Sequence, residues 1–122
     1  MGRLAQKRAQ RQKRHQRIRA KIEGTPERPR LSVYKSLNHI YAQIINDWAG
    51  ETLAAASTLE DEIAADLDST CTIEAAKAVG KAIGERALAA GIEEAVFDRS
   101  GWPMHGKIRA IAEGAREAGL KI

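Results

Sequence analysis

Apolar and polar side chains alternate from Leu31 to Ile45. Leu31 to Ser36 and His39 to Ile45 therefore read as two strands of a β-hairpin across Leu37-Asn38. A two-residue loop sets Ser36 opposite His39, Tyr34 opposite Tyr41 and Ser32 opposite Gln43. The same register sets Val33 opposite Ala42 and Leu31 opposite Ile44. One register sorts both strands at once. Leu31, Val33, Ile40, Ala42 and Ile44 form an apolar face. Ser32, Tyr34, Ser36, His39, Tyr41 and Gln43 form a polar, aromatic face. A third strand, Glu51 to Ser57, follows the turn Asn46-Asp47-Trp48-Ala49-Gly50.

Beyond Ser57 the period changes. Ser57-Thr58-Leu59-Glu60 has capping-box spacing and opens a short helix through about Leu67. A main helix starts near Thr72. Its apolar positions Ala76, Val79, Ile83, Ala87 and Ala90 keep a helical period, and Gly91 suits the residue just past its end. Ala95 to Asp98 is a short buried strand, reached by a crossover. After a loop from Arg99 to Gly106, a last helix carries Ile108, Ile111, Ala112 and Ala115 on one face and ends at Gly119. The fold class is α/β (α+β): a three-stranded antiparallel meander plus a fourth strand, with helices on one face.

Charge adds a second part. Residues 1–30 hold eleven Lys or Arg against two Glu, a net +9; the other 92 residues hold nine basic and fourteen acidic groups, a net −5. The whole-chain value of +4 hides this split. The segment Gly24-Thr25-Pro26-Glu27-Arg28-Pro29 is a hinge. The organisation is thus a basic arm and hinge, 1–30, and a globular body, 31–122. A basic arm on a mildly acidic body suits a protein that lays its arm along a polyanion. The arm's candidate phosphate contacts are Arg3, Lys7, Arg8, Arg11, Lys13, Arg14, Arg17, Arg19 and Lys21, with Arg30 at the body's edge. Residues 3–22 offer only Leu4, Ile18 and Ile22 as large apolar groups, with no amphipathic period, so nothing offsets the entropy of ordering them. No Gly or Pro interrupts residues 3–23, and Ala, Gln, Lys and Arg favour helix. The expectation is an arm disordered when free and helical once phosphates neutralise it.

Several classes drop out. A transit peptide would be Arg-rich and acid-poor, but residues 1–30 contain no Ser. A membrane-surface helix needs an apolar face, and no apolar run suffices for a span. One cysteine, Cys71, excludes an internal disulfide and fits a reducing compartment. Cys71, His15, His39 and His105 lack metal-site spacing, and nothing indicates a cofactor.

The polar hairpin face stays open once helices cover the other. Aromatics and hydrogen-bonding groups on an uncovered sheet serve RNA readers for stacking and for sugar and base-edge contacts. Tyr34 and Tyr41 also read as a simple cross-strand pair; the arm beside them favours RNA.

The stretches Arg30-Leu31-Ser32-Val33-Tyr34-Lys35-Ser36, His39-Ile40-Tyr41-Ala42-Gln43 and Ala54-Ala55-Ala56-Ser57-Thr58 are recognisable together. So are Ala78-Val79-Gly80-Lys81, Glu85-Arg86-Ala87, Phe97-Asp98-Arg99-Ser100-Gly101 and Ala115-Arg116-Glu117-Ala118-Gly119-Leu120. In this order the chain resembles the bacterial large-subunit ribosomal protein family that binds 5S rRNA, number eighteen in its series. The arm is similar only in character. The resemblance implies a structural constituent of the large ribosomal subunit, in the cytoplasm, that binds 5S rRNA and helps attach it to 23S rRNA in the central protuberance. Its partners would be these RNAs and neighbouring large-subunit proteins, with no membrane and no small-molecule substrate. The implied RNA-facing positions are His39, Tyr41 and Gln43, then Asp98, Arg99, Ser100 and Gly101, then His105, Gly106 and Lys107. One departure stands out. The family usually places an aromatic residue and then His-Gly-Arg in this loop; here the run is Trp102-Pro103-Met104-His105-Gly106-Lys107. Pro103 stiffens the loop, and Lys107 lacks the bidentate fork of Arg.

Two other classes compete. Asp47, Asp98 and His105 could form a metal-dependent nuclease site, although Asp98-Arg99 reads more simply as a local ion pair shaping a loop. A free-standing nucleic-acid-binding protein would carry a similar arm, but its acidic body would repel further phosphates.

Overall fold

The computed structural model describes residues 9–14, 16–17, 24–36, 39–64, 72–102, 104 and 106–122. The elements are β1 (Arg30–Lys35), β2 (Ile40–Asn46), β3 (Glu51–Ser57), α1 (Asp61–Ala64), α2 (Ile73–Ala89), β4 (Val96–Asp98) and α3 (Lys107–Ala118). The fold is the expected α+β arrangement. One sheet runs in the order β3-β2-β1-β4, with β1, β2 and β3 antiparallel and β4 parallel to β1.

The hairpin register is the one the alternation dictates. Tyr34 faces Tyr41, Ser32 faces Gln43, Val33 faces Ala42 and Leu31 faces Ile44. The strands are set one residue earlier at β1 and one later at β2 than expected. Ser36 belongs to the turn: its N–H donates to the His39 carbonyl at 2.8 Å, and its Oγ accepts from the His39 N–H at 3.2 Å. The expected loop residues, Leu37 and Asn38, lie outside the described residues. A register irregularity falls at Ile44/Ile45, where β2 meets β3.

The capping box forms by half. The Ser57 N–H donates to Glu60 Oε2 at 3.0 Å, while Ser57 Oγ accepts from the Leu59 N–H instead of reaching Glu60. The short helix is described over Asp61–Ala64; its expected continuation to Leu67 and Cys71 lie outside the described residues. Thr72 caps α2, its Oγ1 accepting from the Ala75 N–H at 3.1 Å. Ala90 is the C-cap and Gly91 follows at φ 85°, as a helix end prefers. Gly119 ends α3 in the left-handed conformation. β4 begins one residue later than expected, because the Ala95 N–H is taken by the Lys121 carbonyl. The C-terminal residues thus extend alongside β4, through a bridge between Glu94 and Lys121. Nothing in their sequence pattern announces that contact.

Helix α2 packs on β2 and β3, and α3 packs on α2. Leu31, Val33, Ile40, Ala42 and Ile44 join Val79, Ile83, Ile108 and Ile111 in one buried cluster. The two helices meet backbone to backbone: a Cβ on Gly80 would strike the Ile111 carbonyl, and one on Gly114 would strike the Lys77 carbonyl. The other face of the sheet keeps Tyr34 and Gln43 exposed.

Candidate nucleic-acid interface

The open face is built by β1 and β2. Because β-strand side chains alternate, Ser32 and Tyr34 emerge together with their partners Gln43 and Tyr41. These four line a shallow hollow. The tyrosine ring centroids are 5.8 Å apart at 44°, and His39 meets Tyr41 edge-on at 6.5 Å. Tyr34 is 50% exposed. His39 is anchored through Nδ1, 3.1 Å from Thr58 Oγ1, and that hydroxyl accepts from the Ile40 N–H. When Thr58 donates to Nδ1, the proton of His39 sits on Nε2. The Ser36 hydroxyl bonds within the turn, to the His39 N–H and carbonyl.

On the same side of the sheet, beside Ser32, lies a charged strut. Arg30 donates through Nε and Nη2 to Asp47, each at 3.1 Å, and through Nη1 to Asp98 at 2.8 Å. Asp47 also accepts from the Gly24 N–H at 2.7 Å. Asp98 is fully buried and accepts from the Ser100 N–H at 2.9 Å. Burial disfavours the guanidinium charge, but the Asp47 and Asp98 contacts outweigh it and raise the Arg30 pKa. The strut joins the hinge, β1, the β2–β3 turn and the loop after β4. Arg30, expected to face phosphate, has its guanidinium held by Asp47 and Asp98. Asp98, expected to pair with Arg99, has Arg30 as its described ion-pair partner, because the parallel register of β1 and β4 sets Asp98 beside Ser32, two residues along β1 from Arg30 and on the same side of the sheet. Arg99 instead donates to the Trp102 carbonyl at 3.0 Å.

Residues 99–102 form a tight turn, with the Trp102 N–H on the Arg99 carbonyl at 3.0 Å. Ser100 and Gly101 both have positive φ, 55° and 81°, the requirement of a type I′ turn. Serine there carries strain, which the Asp98 contact to its N–H offsets. Ser100 and Gly101 are buried, and Ser100 Oγ lies 3.4 Å from Ser32 Oγ. The turn therefore touches the open face.

Residues 9–14 and 16–17 of the arm are helical, and Arg11 and Arg14 hold them against this turn, contacts that the expectation of a disordered free arm did not include. Arg11 Nη1 donates to the Ser100 carbonyl and Arg14 Nε to the Gly101 carbonyl, both at 3.0 Å. The Arg11 guanidinium stands 4.4 Å from the Trp102 ring centroid, and Lys35 Nζ stands 4.9 Å from it. The Trp102 Nε1–H is buried and has no hydrogen-bond partner among the described residues. Lys13 and Arg17 are exposed. Gly106 and Lys107 start α3, with Gly106 exposed and Lys107 half-buried. Arg3, Lys7, Arg8, Arg19, Lys21 and His105 lie outside the described residues. Sequence reasoning missed Trp102 and Lys35 as parts of this cluster. The available signal was the alternation of β1, which sends Lys35 off the face that carries Tyr34.

Comparison with known proteins decides the family. The family model described as "Ribosomal L18 of archaea, bacteria, mitoch. and chloroplast" matches residues 5–122. The chain belongs to this ribosomal protein family. It is 57% identical to the large ribosomal subunit protein uL18 of Alkaliphilus oremlandii over 122 residues, all of both chains. It is 56% identical to that of Thermotoga petrophila over 116 residues, 95% of each chain. It is 61% identical to that of Microcystis aeruginosa over 110 residues, 90% of this chain and 92% of the relative. The family is structural rather than enzymatic, which removes the nuclease reading. Asp47 and Asp98, its two acids, converge on Arg30. Among the described residues no helix is long and apolar enough to cross a membrane.

Proposed function

We propose that this chain is a structural constituent of the large ribosomal subunit that binds 5S rRNA and helps attach it to 23S rRNA in the central protuberance. Family membership supports the ribosomal part of this reading. The observation that supports RNA binding is the Tyr34–Tyr41 pair on a sheet face that no helix covers among the described residues. Rings exposed there give unpaired bases a stacking platform. Ser32, Gln43 and the anchored His39 add hydrogen-bonding groups around it. The arm, with Lys13 and Arg17 exposed, supplies cations for phosphates. The body is the RNA-reading unit and the arm the sequence-independent one.

Filter binding of the full chain to 5S rRNA, against a structured RNA of equal length, tests this. The expected result is a preference for 5S rRNA that persists as salt rises. Equal affinity for both RNAs at every salt concentration would leave only a non-specific binder.

A further inference from the structure

The arm's cations divide into two sets. Arg11 and Arg14, three residues apart, sit about 60° apart around a helix and point the same way. Both are half-buried and both end on backbone carbonyls of one turn. Lys13 and Arg17, four apart and about 40° from each other around the helix, are exposed, so burial separates them from the first pair. The turn is shaped to receive the first pair. Its two positive-φ residues, Ser100 and Gly101, each offer a carbonyl to the arm, and Trp102 offers the face of its ring. The hydrogen bonds span 89 and 87 residues of sequence, so they tie the chain's start to its last third.

We infer that Arg11 and Arg14 are positioning residues, which clasp the arm to the Ser100-Gly101-Trp102 turn and aim Lys13 and Arg17 at RNA phosphates. This rests on the RNA-binding reading above. The planar guanidinium matters here. Arg14 binds through Nε, a donor lysine does not have, and Arg11 combines a hydrogen bond with a cation–π contact on Trp102. A phosphate contact makes no such demand, because lysine serves it as a point charge. Lys35 approaches the same ring, so two cations share one indole and hold it in place. The clasp also fixes where the arm leaves the body. The turn is bonded to Asp98, Asp98 to Arg30, and Arg30 through Asp47 to the hinge at Gly24.

The test compares Arg11→Lys/Arg14→Lys, Arg11→Gln/Arg14→Gln and Lys13→Gln/Arg17→Gln with the parent chain. All carry Trp48→Phe, so that emission reports Trp102. Binding to 5S rRNA is measured across a salt series. The charge-conserving lysine pair should bind about tenfold more weakly with an unchanged salt slope and a shifted Trp102 emission. The Arg11→Gln/Arg14→Gln pair should also keep the slope. Lys13→Gln/Arg17→Gln should lower the slope by about 1.4–1.8 and leave the emission alone. The clasp is overturned if the lysine pair binds within about twofold of the parent, if its emission is unchanged, or if Arg11→Gln/Arg14→Gln lowers the slope as much as Lys13→Gln/Arg17→Gln. Should the parent chain show no preference for 5S rRNA, the RNA reading fails by itself. Trp102 emission and the arm's resistance to trypsin in the free parent and lysine-pair chains then decide the clasp.

Discussion

At the scale of single residues, Tyr41 and Asp98 show how burial assigns work. Asp98 has no exposed surface and accepts from the Arg30 guanidinium and from the Ser100 N–H, so its described contacts build the loop. Removing one partner of such a buried pair typically costs about 3–5 kcal/mol. A loss of RNA binding in an Asp98 variant would therefore report folding, not contact. Tyr41 is the reverse case. It is half-buried in β2, and its ring meets Tyr34 and His39 at the edge of solvent. Tyr41→Ala should cost about 1–3 kcal/mol of 5S rRNA affinity through lost stacking. Tyr41→Phe, which keeps the ring, should bind within about twofold of the parent. Isothermal titration calorimetry beside thermal melts checks this. If affinity falls only in step with melting temperature, Tyr41 serves the hairpin and not the RNA.

At the scale of elements, two contacts set how the helices sit. Gly80 and Gly114 let α2 and α3 touch through their backbones. On helix propensity alone, Gly80→Ala would stabilise by about 1 kcal/mol. The new methyl meets the Ile111 carbonyl, a rigid neighbour, so overpacking should win and destabilise by about 1–3 kcal/mol. Urea unfolding decides the sign, and a gain in stability would show that the helices part without penalty. The second contact joins α2 to the end of β3. Arg86 Nη1 and Nη2 each lie 2.8 Å from a Glu60 oxygen, and the Ser57 N–H bonds the same carboxylate. The Arg86 hydrogen bond holds Glu60 below its ordinary 4.5, against the opposing effect of burial. A depressed carboxylate stabilises fully above its unfolded pKa and loses that contribution as pH falls through the folded value. Stability should therefore drop below about pH 4.5, and Glu60→Gln should flatten that part of the profile in melts taken from pH 3 to 6. An identical acid profile in Glu60→Gln would remove this pair from the account. These elements were unequally legible in the sequence. The hairpin register was readable because one face is buried, and a one-residue slip would turn Leu31, Val33 and Ile44 to water. The Thr72 cap and the Gly119 end were readable from local chemistry. The Gly80–Ile111 contact was not, because it depends on where a second helix crosses. The Arg30–Asp47–Asp98 strut was hidden for the same reason, with partners 17 and 68 residues apart.

At the scale of the whole molecule, charge and shape are separated along the chain. The arm and hinge carry +9 and the body −5, so phosphate is drawn to one and repelled by the other. The charge of the arm was readable from composition, but its use was not. Arg11 and Arg14 looked like any other arm cations until the turn at Ser100 and Gly101 gave them carbonyls to bind. This changes what truncation should do. Deleting residues 1–22 removes nine basic groups and no acidic one. If all nine met phosphates, the log–log salt slope of 5S rRNA binding would fall by about 6–8. With Arg11 and Arg14 committed to the body, at most seven are left, and the fall should not exceed about 5–6. The remaining body, at net −5, keeps its stacking face and should retain a weaker preference for 5S rRNA with a shallow salt dependence. Filter binding across a potassium chloride series measures both slopes on the same RNA. An unchanged slope would take the arm out of RNA binding altogether. A fall of about 8 would return Arg11 and Arg14 to the phosphates and leave the arm's direction to the RNA alone.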